Sequence, residues 1–165
     1  MKLESLRELF IEELQDLYSA ENQIIDALPK MIEKTTSPDL KAGFTEHLNQ
    51  TRRHVSRLDQ IFDQLGGDVD RKEKKCRGME GIIKDGKEIL KADAEPEVMD
   101  AGLIAAAQRV EHYEIAGYGT VRTYAQLLGR NEWVKPLEET LEEEKITDSK
   151  LTQLAGHINL EAKAA

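Results

Sequence analysis

Glu111 and Glu114 stand three residues apart in Ala105-Ala106-Ala107-Gln108-Arg109-Val110-Glu111-His112-Tyr113-Glu114-Ile115-Ala116, a run with no helix breaker. Read at helical steps, the apolar stripe of this segment is Leu103, Ala107, Glu111, Glu114, Tyr118, Val121, Ala125 and Leu128, so both acids fall on the face expected to be buried. A buried carboxylate costs several kcal/mol unless its charge is compensated. Metal ions supply that compensation when similar acids recur on neighbouring helices. The competing explanations are pairing with Arg or Lys, or a stripe misphased by one residue that leaves the acids in water.

Similar interruptions recur near the middle of three other predicted helices: Glu21 in the first, Gln50, Thr51 and His54 in the second, and Glu144 and Asp148 in the last. Spacings of three and four residues place both members of a pair on one helix face. Carboxylates from two helices with paired ligands from two more build the dinuclear sites of bundle proteins. Hard oxygen donors with some imidazole suit iron, manganese or zinc. The candidate metal ligands are therefore Glu21, Glu111, Glu114 and Glu144, with His54 and Asp148 as secondary candidates. His54 lies where an E-x-x-H motif would put its imidazole, but the position of the acid is Thr51, or Gln50 if off by one. His47 shares a side of the helix with His54, two turns away, and is read like any lone helical histidine. Asp148 lies one turn off the level of the others. Glu142-Glu143-Glu144-Lys145 is by itself a charge run of the kind that usually faces solvent. His112 should point away from the stripe and His157 lies near a helix end. Tyr18, Tyr113 and Tyr118 lie near the acids. Cys76 sits between lysines and an arginine, a setting that can lower a thiol pKa, but a structural or incidental role is the stronger reading.

Four long helices must position these side chains. The first spans Leu3 to Lys34, with Pro29 kinking it or marking an irregularity. Ser37 caps the second and Pro38 opens it; Gly66-Gly67 ends it. Residues 68–96 form a lysine-rich insert of one or two short helices. Pro96 opens the third long helix, which ends at Gly129, and the fourth begins at Asn131 or Glu132, its last residues from Glu161 fraying. Short, long, short connections predict an all-α, ferritin-like four-helix bundle of two antiparallel hairpins, with a short helical insert in the long crossover. At 165 residues the chain is expected to form one domain.

A net charge of −9 disfavours nucleic acid and anionic membrane surfaces as partners. No run of about 18 apolar residues appears. One cysteine and no apolar signal core make the cytoplasm the expected compartment.

Asp16-Leu17-Tyr18-Ser19-Ala20-Glu21, the Ala105–Ala116 run, Thr140-Leu141-Glu142-Glu143-Glu144 with Thr147-Asp148, and Lys75-Cys76-Arg77-Gly78-Met79-Glu80 resemble the YciE/YciF family of ferritin-like, stress-associated bacterial proteins. The resemblance covers nearly the whole chain. It implies a rubrerythrin-like or ferritin-like bundle, a homodimer and a dinuclear metal site, with no settled activity. If the pair is iron and redox-active, the chemistry would be iron oxidation or peroxide reduction. The resemblance also implies a Glu where this chain has Gln50, whose amide could ligate but brings no charge. The alternative is a structural or interaction protein whose metal site has decayed.

Overall fold

A computed structural model describes residues 3–66 and 69–165. Five helices are present, α1 (Leu6–Lys34), α2 (Pro38–Leu65), α3 (Arg77–Lys91), α4 (Pro96–Leu127) and α5 (Asn131–Ala164), and no strand is found among the described residues. Gly67 and Asp68, which the sequence places at the α2 stop and the start of the insert, lie outside the described residues.

Local chemistry explains most boundaries. The Ser5 side chain accepts from the Glu8 backbone amide while Glu8 reaches back, a capping box that starts α1 at Leu6 rather than at the expected Leu3. Ser37 caps α2 with Pro38 in its first turn, and Gly66 leaves it at φ 66°. Gly129, at φ 70°, makes the turn from α4 into α5. The first helix ends at Lys34 as expected, with Pro29 inside it. A further expectation fails at a chain end, where α5 stays helical to Ala164 instead of fraying from Glu161.

The side-chain ladder fixes the topology. Gln64–Trp133, Arg57–Thr140, Gln50–Thr147 and Glu46–Lys150 pair α2 with α5 in antiparallel register. Asp100, near the start of α4, accepts from the Thr36 and Ser37 amides and the Thr36 hydroxyl in the α1–α2 turn. The fourth helix therefore begins at the end of the bundle opposite the one where α2 stops. The chain must recross the bundle in between, and α3 does so lying against α1 and α4. One long crossover between two hairpins is the arrangement expected from the sequence; among the described residues the insert contains a single helix.

The core is split. One apolar cluster packs Phe10, Leu14, Leu58, Val121 and Trp133; another packs Ile24, Phe44, Leu103, Leu151 and Ile158 with Cys76 and Met79 of the crossover. Glu21, His47, His54, Glu111, Glu114 and Glu144 occupy the layer between them, and all six are buried. Gly117 allows the close approach of α4 to α1, because a Cβ there would lie 2.7 Å from Leu17 Cδ2.

Candidate metal centre

The acidic layer is assembled by all four long helices. Their lengths of 29, 28, 32 and 34 residues put the mid-helix positions deep between the two apolar clusters. Glu21, Glu111, Glu114 and Glu144 are each 0 % exposed. Two sets of potential ligand atoms converge, each set with all its atoms within 4.8 Å of one another: His47, Glu111, Glu114 and Glu144 in one, and Glu21, His54 and Glu144 in the other. Glu144 belongs to both.

The hydrogen-bonding capacity of this layer is largely unused. Both oxygens of Glu111, Glu114 and Glu144, one of Glu21, both His47 nitrogens and His54 Nδ1 are buried without a hydrogen-bond partner. Such groups are normally paired, and each orphan costs about 1–3 kcal/mol or more if charged. His54 Nδ1 lies 2.9 Å from Glu144 Oε1 and 3.3 Å from Glu21 Oε1. The first contact is short but misaligned for a hydrogen bond, so it acts as proximity of charge. No Arg or Lys among the described residues forms an ion pair with the four glutamates; Arg57 stops at Glu143 and Glu139.

Burial and mutual repulsion set the protonation. Burial first, then the charges of Glu144 and its neighbours, push the Glu111 and Glu114 carboxyls well above the usual range. Burial depresses His47, which stays neutral 3.4 Å from Glu111. His54 behaves differently. Burial pulls it down, yet Glu21, Glu143 and Glu144 outweigh burial and lift it to about 11. Burial would raise Glu144 as well, but His54 above all brings it below its ordinary value. Tyr118, raised chiefly by its burial, donates its hydroxyl proton to Glu21.

Glu143 holds His54 from outside. His54 Nε2 lies 2.8 Å from Glu143 Oε2, and Arg57 grips the same carboxylate at 2.6 Å. The His54 hydrogen bond, with Arg57 behind it, lowers the Glu143 pKa to about 2. A carboxylate on the outer nitrogen fixes ring orientation and aims Nδ1 at Glu21 and Glu144.

Of the residues singled out in the sequence, Glu21, Glu111, Glu114, Glu144 and His54 come together. Asp148 does not. Its carboxylate is 22 % exposed, accepts from Gln108 Nε2 at 3.1 Å and faces the exposed His112. Gln50 is also withdrawn, its carbonyl oxygen accepting from Thr147 at 3.3 Å. His47 and Glu143 are the residues that sequence reasoning passed over. The signal for His47 was its seven-residue spacing from His54, which puts two imidazoles on one side at two levels of the layer. No local signal marked Glu143 within its charge run.

Cys76 sits in a structural setting. It caps α3, is fully buried, and its thiol donates to Asp16 Oδ2 at 3.0 Å beside the Tyr113 hydroxyl. Burial outweighs the hydrogen bonds from Tyr113 and the Met79 amide and, with Asp16 beside it, raises its pKa. Gly78 admits the Tyr113 ring, whose Cε2 would stand 2.7 Å from a Cβ there.

Residues 5–164 match the family described as a domain of unknown function, DUF892. The chain is 44% identical to the protein YciF of Escherichia coli strain K12 over 164 residues, 99% of this chain and 98% of the relative. A solved structure of that stress protein superposes with a TM-score of 0.90, covering 94% of this chain and 98% of the other. YcfI of Rhodopseudomonas palustris, described as a candidate structural protein, is 42% identical with a TM-score of 0.86 over 92% of this chain and 95% of its own. Ferritin-like, diiron-carboxylate proteins of Bacillus anthracis share the fold at 18% identity, with a TM-score of 0.70 over 93% of this chain and 99% of theirs.

Proposed function

The chain belongs to the DUF892 family of YciF-like proteins, and on that premise we propose that it is a ferritin-like metal-binding protein whose layer of four glutamates and two histidines holds a pair of ions, iron before manganese or zinc. The observation that carries this reading is the set of buried, unpartnered carboxylate and imidazole atoms converging within 4.8 Å. Divalent cations satisfy such atoms and replace the protons that otherwise neutralise them. Oxygen and imidazole donors without thiolate suit the three metals named.

Glu21 and His54 would serve one ion, and His47, Glu111 and Glu114 the other, with Glu144 common to both. Bound iron would supply one-electron chemistry toward oxygen or peroxide. Glu143 and Arg57 keep the His54 ring turned so that Nδ1 faces the layer. Tyr118 anchors Glu21. The apolar clusters on either side keep bulk water from the acids. A role under stress extends to this chain what is said of the E. coli relative, which is called a stress protein. A cytoplasmic homodimer completes the proposal; sedimentation velocity checks the dimer, and a closed shell would point to storage instead.

Elemental analysis of protein purified without chelators tests the reading. About two ions per chain are expected from the two ligand sets, and Glu114→Gln should lose metal from the His47 end. Stoichiometric absence of iron, manganese and zinc after anaerobic loading would overturn it. That result would favour a structural protein, the description carried by the Rhodopseudomonas relative. The His54 imidazolium, which already offsets part of the acidic charge, is the observation on that side.

A further inference from the structure

Where α3 crosses α1 and α4, the helices leave a crevice of about 40 Å³ that runs inward to the acidic layer. Its outer rim carries the exposed Lys30 and Lys87. Its walls are Ile24 and Leu28 of α1, Ile82 and Ile83 of α3, and Ala107 and Val110 of α4. Gly86 faces Ala106 across it. Its inner end is His47 and Glu111, both buried and both with side-chain atoms that have no hydrogen-bond partner.

We propose that this crevice is a dry portal through which small uncharged molecules of the size of dioxygen reach the His47 end of the acidic layer, and that α3 is its selective wall. Between rim and inner end the side chains named above offer no hydrogen-bonding group. A hydrated cation would shed its water with nothing to replace it, a cost of many kcal/mol. Lys30 and Lys87 add repulsion of cations at the entrance. A small apolar molecule meets neither obstacle. Cations must then enter elsewhere, and the partly exposed Glu143 beside His54 marks the polar side of the layer. The two sides of the centre would thus be specialised, one polar and facing α2 and α5, the other apolar and walled by α3.

The inference rests on the metal-centre reading only for what the incoming molecule meets, so its test uses metal-free protein. Dissolved dioxygen under pressure should broaden the methyl resonances of Ile83 and Val110 several-fold more than those of Leu58 and Leu141 in the other apolar cluster. Xenon should occupy the crevice in pressurised crystals. Gly86→Leu places a side chain into the opening from a position where a Cβ meets only ordinary contact, 3.5 Å from Ala106 Cβ. It should abolish the broadening and the xenon, and Ile83→Ala should increase both. In iron-loaded protein Gly86→Leu should slow reaction with dioxygen several-fold while leaving the rate of metal uptake unchanged. Uniform broadening across both clusters, or xenon absent from the wild-type crevice, overturns the portal whatever the metal content. Xenon and dioxygen in the crevice of a protein that binds no metal would keep the portal and sink the metal centre.

Discussion

At the His54 end of the acidic layer, Glu21, Glu143 and Glu144 surround an imidazole that keeps its proton up to about pH 11. At the His47 end, Glu111 and Glu114 surround one that burial keeps neutral, and the acids themselves hold protons. The residue types are the same; the difference is geometric. His54 has carboxylates on both ring nitrogens, and one of them, Glu143, is itself charged because it reaches solvent and Arg57. Neither His47 nitrogen has a hydrogen-bond partner. One end thus compensates its own charge, while the other depends on protons or on an ion. Replacing side chains end by end should separate the two.

The largest effect should come from His54→Gln in metal-free protein. It removes the cation that Glu21, Glu143 and Glu144 share, and breaking a buried ion cluster from one side costs about 3–5 kcal/mol. Urea denaturation of the chelator-treated protein measures it. His47→Gln, which removes only a neutral ring, should cost far less. Equal losses for the two variants would erase the distinction between the ends.

Next in size is Glu143→Gln. The amide cannot fix the His54 ring as a carboxylate does, and losing such an orienting partner weakens metal binding by about 10–100-fold. Competitive titration with a chromophoric chelator reads the change. It should appear at the His54 end alone, leaving the weaker or tighter partner step unchanged.

The layout of these residues shows which parts of the site a sequence can disclose. Acids interrupting an apolar stripe are visible because burial opposes them, and Glu21, Glu111, Glu114 and Glu144 all revealed themselves that way. The bundle order was equally legible, since connection length decides which helices can be hairpin partners and Gly66 and Gly129 mark their ends. His47 was not, because a search at one level of the bundle overlooks a site extended along its axis. Asp148 has nearly the phase of Glu144, but Gln108 and a partly exposed position draw it outward. Cys76 shows the limit most plainly. Its sequence neighbours are cations, yet its spatial neighbours are Asp16 and Tyr113, and packing of the crossover buries it.

The third effect is a pH dependence. Folding raises the His54 pKa from 6.5 to about 11, so the folded chain keeps a proton that the unfolded chain releases. The stability this contributes is fully present below pH 6.5 and is lost as pH rises through about 11. Between those limits the slope is about 1.4 kcal/mol per pH unit. Glu111 and Glu114, also raised, add loss of the same sign as pH climbs above their ordinary range. Urea midpoints of metal-free protein from pH 7 to 9 should therefore fall, and His54→Gln should flatten the curve by its own share. A midpoint that rises with pH would show that His54 is neutral and the two ends alike.

The smallest effect is expected where the acid is most deeply buried. In metal-free protein burial keeps the Glu114 carboxyl protonated at neutral pH, and the charges of Glu144 and Glu21 reinforce this. Glu114→Gln then exchanges one neutral planar group for another of nearly equal volume. Its amide protons face acceptors on the same neighbours, so stability should stay within about 1 kcal/mol of wild type. An ionised Glu114 would instead be relieved by the amide, and the variant would be clearly more stable. Metal binding responds in the opposite way, because the amide cannot release a proton and brings no charge to the His47 end. A variant almost silent in urea without metal, yet unable to gain stability from added iron or manganese, is what a proton-filled ligand set requires. Equal gains from metal in both proteins would place the ion away from Glu114 and leave the His47 end with protons alone.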